Sequence, residues 1–73
     1  LLERGADINK AYNDGSTPLL IASENGHVEV ARILVDGGAD INKADDDGQI
    51  PLYAATSNNH TEIIHMLELA AQV

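Results

Sequence analysis

Gly5-Ala6-Asp7-Ile8-Asn9-Lys10-Ala11 recurs without a change as Gly38-Ala39-Asp40-Ile41-Asn42-Lys43-Ala44, 33 residues further along the chain. The same shift returns Asp14-Gly15 as Asp47-Gly48 and Pro18-Leu19 as Pro51-Leu52. It also carries Ala22, Asn25, His27, Glu29 and Leu34 onto Ala55, Asn58, His60, Glu62 and Leu67. Self-similarity at a fixed period of about 20 to 50 residues marks a stack of supersecondary units, none of which buries its apolar face alone. Every local feature is therefore read as part of a repeat.

Within one period Asp14-Gly15-Ser16 forms a turn, Thr17 is suited to cap a helix, and Pro18 stands at the first helical position, where its missing N–H is no loss. Leu19, Leu20, Ile21 and Ala22 fill a short helix that stops near Asn25-Gly26, because glycine accepts the left-handed conformation of a tight helix-to-helix turn. The other copy has Asn59 there, the next-best residue for positive φ. From His27 a second helix carries Val28, Val30, Ala31, Ile33, Leu34 and Val35 until Gly37-Gly38 ends it. Helices this short are unstable alone, since isolated ones need about 12 to 15 residues, so stacking must hold them. Ala39 to Gly48 is a polar finger with Asp and Asn at its bends, read as a β-turn or short hairpin.

The unit resembles the ankyrin repeat. Asp14-Gly15-Ser16-Thr17-Pro18-Leu19 with Ala22, then Gly26-His27-Val28-Glu29-Val30, then Gly38-Ala39-Asp40-Ile41-Asn42 are similar to that family's pattern in order and spacing. The resemblance implies an all-α helical solenoid of helix-turn-helix units joined by β-turn or hairpin fingers. It forms a single domain over 1–73: the C-terminal part of one repeat (1–11), a full repeat (12–44) and a last repeat (45–73). Leu1-Leu2-Glu3-Arg4 reads as the interior of a second helix, so the chain is expected to start partway through a unit, leaving apolar surface uncovered at that end.

Departures from the family pattern carry expectations of their own. The His that the family places after Thr-Pro-Leu is Leu20 in one copy and Tyr53 in the other, so aliphatic packing is expected in place of its hydrogen bonds. Ile50 stands where the capping Thr belongs, which costs about 1 kcal/mol by analogy with cap-to-Ala changes and should leave the last repeat softer. Thr61 and Glu68 replace Val28 and Val35, giving that repeat a more polar outer face, as suits a C-terminal cap.

Composition narrows the function. Twelve Asp and Glu against four Lys and Arg give a net charge of -8, which repels phosphate backbones and anionic lipid headgroups. Neither nucleic acid nor membrane is an expected partner. There is no cysteine, which removes disulfides, thiolate metal sites and cysteine nucleophiles, and the only aromatics are Tyr12 and Tyr53, so the core is aliphatic. No apolar stretch approaches the roughly 20 residues of a membrane span, and no signal segment opens the sequence. A soluble chain is expected, and the resemblance favours an intracellular one.

Catalytic and metal readings fail on spacing. His60 and His65 stand five apart and project roughly 140° from each other on a helix, whereas a zinc-protease motif needs a spacing of four with Glu directly after the first His. His27 and His60 are equivalent turn positions with a structural role. Asp45-Asp46-Asp47-Gly48 resembles the start of a calcium loop, but Gln49 and Ile50 follow where oxygen ligands are required. Gly37-Gly38 lacks the Lys and Ser or Thr of a phosphate loop. No catalytic residue, metal or cofactor is expected, and the chain reads as no enzyme.

The resemblance implies a protein partner held on the concave face of fingers and first helices. On this sequence that face maps to Tyr12, Asn13, Asp14, Ser16, Glu24 and Asn25, and in the next copy to Asp45, Asp46, Asp47, Gln49, Ser57 and Asn58. Its acidity calls for a basic or polar partner, with Tyr12 as a candidate anchor or a packing residue across the finger. The alternative is architectural: a structural or self-associating segment of a longer solenoid, joined through the open N-terminal end, or a designed or consensus-like scaffold without a native partner. The family also contains substrates of an asparaginyl hydroxylase, and the Leu-x5-Asp-Ile-Asn pattern makes Asn9 and Asn42 the candidate positions.

Overall fold

The computed structural model of the chain describes residues 8–72. Four helices follow one another: α1 (Pro18–Asn25), α2 (Val28–Asp36), α3 (Pro51–Ser57) and α4 (Thr61–Ala71), with no strand among the described residues. The expected helix from Leu1 lies outside the described residues.

Each hairpin starts at a proline in the first turn. Ahead of α1, Thr17 is extended and its Oγ1 accepts the Leu20 N–H at 3.2 Å, satisfying a donor the helix cannot satisfy internally. Ile50, ahead of α3, has the same extended backbone but gives no side-chain cap. Helix α1 ends where Gly26 takes φ 73° and the Gly26 and His27 N–H groups turn back onto the Ala22 carbonyl. Asn59 reproduces this turn at φ 59°, with the His60 N–H on the Ala55 carbonyl. Gly37-Gly38 ends α2 at Asp36, but its counterpart is Ala70-Ala71, through which α4 runs on to Ala71.

Inner helices α1 and α3 pack side by side, each against its own outer helix, while α2 and α4 meet in a second layer. Between the layers Leu19, Ala22, Ala31, Leu34, Ala55, Ile63 and Leu67 form an aliphatic core, each large side chain there contributing about 1.5–3 kcal/mol. Val28 and Val35 pack against this core, while Thr61 and Glu68 are exposed. Leu20 is buried at 3% exposure, as aliphatic packing requires. Tyr53 is not: it stands 57% exposed, because no element of the described residues covers the far side of α3 as α3 covers α1.

The fingers are hydrogen-bonded turns. Tyr12 N–H reaches the Ser16 carbonyl at 2.8 Å in one, and Asp45 N–H the Gln49 carbonyl at 3.0 Å in the other. The bend at Ile41-Asn42 is held by the Asp40 carboxylate, which accepts the Asn42 N–H at 2.9 Å, while the exposed Asn42 side chain makes no hydrogen bond among the described residues. Asn9, its equivalent, works between repeats: its Oδ1 accepts the Asp40 N–H at 2.7 Å.

Candidate functional site

Consecutive fingers are tied to each other as well as to their helices. Asp46 donates its N–H to the Asp14 carbonyl at 3.0 Å, and the two fingers lie so close that a Cβ on Gly15 would sit 2.6 Å from Asp46 Oδ1 and 2.8 Å from its backbone nitrogen. Only glycine fits that approach. At the other end of the hairpins the His60 ring lies over Gly26, and its Nε2 is 3.0 Å from the Glu24 carbonyl. A carbonyl can only accept, so Nε2 carries the proton. His27 is exposed, and its ring makes no hydrogen bond among the described residues.

The anticipated binding residues divide by exposure. Tyr12 is 61% exposed, and Asn13, Asp14, Glu24, Asn25, Asp46, Asp47, Ser57 and Asn58 are exposed with it. Asn25 and Asn58 also cap helix ends, donating Nδ2 to the Ile21 and Ala54 carbonyls at 3.0 and 2.9 Å. Asp45 and Gln49 are half-buried, and the Asp45 carboxylate accepts the N–H groups of Asp47 and Gln49, each at 2.9 Å. Ser16 is buried at 8% exposure with its backbone committed to the turn, so it shapes the finger and offers almost no surface.

The Asp14 carboxyl is held below its ordinary value of 3.8, chiefly because it accepts the Ser16 N–H at 3.0 Å. No Lys or Arg occurs between residues 11 and 31 or after Lys43, so Asp14, Glu24, Asp45, Asp46 and Asp47 have no cation beside them in sequence. The outer layer adds a feature that the sequence reading passed over. A shallow groove of about 490 Å³ between α2 and α4 is lined by Val28, Glu29, Arg32, Ile33 and Glu62, with Ile33 46% exposed. Its sequence signal was Ile33, apolar yet off the buried stripe of Ala31 and Leu34. Among the described residues no three His, Asp or Glu side chains are placed to hold a metal ion.

Two layers of paired helices joined by bonded turns define an all-α repeat solenoid. The chain belongs to the ankyrin-repeat family: a profile of ankyrin repeats in three copies matches residues 1–73. Such repeats are generally protein–protein interaction modules and generally non-catalytic. A search of curated proteins returns no match. No helix of the described residues is long and apolar enough to cross a membrane.

Proposed function

We propose that this chain binds a protein with a basic or polar surface through the face of its fingers and inner helices. Tyr12, Asn13, Asp14, Glu24 and Asn25 act with Asp46, Asp47, Ser57 and Asn58, while Ser16, Asp45 and Gln49 keep the turns in shape. One observation carries the reading: exposed carboxylates stand on turns bonded to one another, so the acidic surface is pre-organised rather than free to collapse onto a local cation. The exposure of Tyr12 favours the anchor role over packing across the finger. The test is the pair Tyr12→Ala and Asp46→Lys against a partner captured on the native chain. Weaker binding at an unchanged melting midpoint supports the reading, and unaltered affinity in both variants ends it.

Hydroxylation at Asn9 and Asn42 stays a proposal on the same terms. Asn42 is the accessible candidate, because the Asn9 amide oxygen is committed to Asp40. Incubation with the hydroxylase and its cofactors should add one oxygen atom to the peptide containing Asn42, and an unchanged mass rejects the idea.

A further inference from the structure

The outer layer carries a surface that shares no residue with the finger face. The groove between α2 and α4 does not stop at Ile33: a depression of about 290 Å³ continues it past His65 and Met66 to Leu69, and the two have Arg32 and Glu62 in common in their walls. Together they form one trough along the helices, about 10 Å long from Glu62 to Leu69 at a rise of about 1.5 Å per residue.

The repeat sets like beside like along this trough. One period carries Glu29 onto Glu62, Arg32 onto His65 and Ile33 onto Met66, while Asp36 gives way to Leu69. On each helix these positions stand at i, i+3, i+4 and i+7, which places them on one face. The walls therefore change in bands. Both carboxylates lie in the first turns of their helices, where the helix dipole favours them, Arg32 and His65 follow one turn on, and the apolar Ile33, Met66 and Leu69 come last. Ile33 is 46% exposed and Leu69 65%. Glu29, Arg32 and Glu62 line one groove, yet none of them makes an ion pair among the described residues. Charged and apolar groups alike are left open to an occupant.

From this complementarity we propose that the trough takes one amphipathic helix of another protein, lying parallel to α2 and α4. Its docking face carries Lys or Arg at i, Asp or Glu at i+3, and apolar residues at i+4 and i+7. In that register the cation lies between Glu29 and Glu62, the carboxylate accepts from Arg32 and His65, and the apolar pair covers Ile33, Met66 and Leu69. A second copy is the poorer occupant, because in the same register it brings Glu to Glu, and its net charge of -8 adds repulsion.

The test uses an alanine-based helical peptide with Lys, Glu, Leu and Leu at i, i+3, i+4 and i+7, fluorescently labelled and titrated with the native chain in an anisotropy assay. A peptide of the same composition in scrambled order is the control. The ordered peptide should bind and the scrambled one should not. Ile33→Gln and Leu69→Gln should each weaken binding about tenfold at unchanged melting midpoints, since both side chains are exposed. Arg32→Glu should weaken it to a similar degree, and a peptide with Lys in place of its Glu should recover the loss. Asp46→Lys, on the finger face, should leave the peptide's affinity unchanged, so the outcome is independent of the reading of that face. No binding of the ordered peptide at about 1 mM chain, equal binding of the scrambled one, or affinity that ignores the three trough substitutions overturns the inference. So does sedimentation showing that the native chain pairs with itself and that Ile33→Gln abolishes the pairing, which would make a second copy the occupant.

Discussion

His27 and His60 occupy the same place in the repeat, but among the described residues only the His60 ring reaches a carbonyl, that of Glu24 one period earlier. His60→Ala should therefore lower stability by about 1–2 kcal/mol, through a lost hydrogen bond and lost packing on Gly26. His27→Ala should stay within about 0.5 kcal/mol of the parent. Urea denaturation of the two variants side by side checks this, and equal losses would mean that His27 has a partner of its own. Asp14 makes a second prediction at this scale. Its carboxyl is depressed in the folded state by the Ser16 N–H, so its contribution is fully present above the ordinary value of 3.8 and is lost as pH falls through the lower folded value. Asp14→Asn should flatten the acid side of the stability curve below about pH 4 while leaving its shape near neutrality unchanged. A pH series of thermal melts measures it.

Each helix is too short to persist alone, and the ends decide how firmly it is held. Helix α1 has the Thr17 cap, whereas α3 has Ile50 ahead of it and no side-chain cap, and among the described residues each packs on the other and on its own outer helix. Thr17→Ala should cost about 1–2 kcal/mol, at the upper part of the range for cap removal because the hydroxyl is buried and the Leu20 N–H would be left without it. Native-state hydrogen exchange should show the α3 amides opening before those of α1. The reverse order would show that the cap matters less than packing on the outer helix.

At the scale of the molecule, the net charge of -8 works against the approach of two copies. The melting midpoint should therefore not move with protein concentration, whereas an architectural segment that joins copies would show a midpoint rising with it. Association with a basic partner should slow as salt is raised, through the on-rate, since screening weakens steering over about 8–10 Å at physiological ionic strength. Stopped-flow association at several salt concentrations reads this directly, and a salt-independent rate would remove the acidic face from the recognition.

The sequence by itself determined the period, the proline starts, the turns at Gly26 and Asn59, and the family, because these depend on local backbone preferences that a repeated pattern displays twice. It also marked the loss of the cap at Ile50 and the acidity of the fingers, which are properties of single residues. What only the tertiary structure decided is which of two identical or equivalent residues does the work. Among the described residues Asn9 bridges and Asn42 does not, the His60 ring is bonded and that of His27 is not, and Leu20 is buried where Tyr53 is bare. Ser16, polar and set in a turn, reads as surface until the finger closes around it. Burial and partnership in a stack depend on what lies one period away in space, and a residue's own neighbours in sequence carry no record of whether that place is filled.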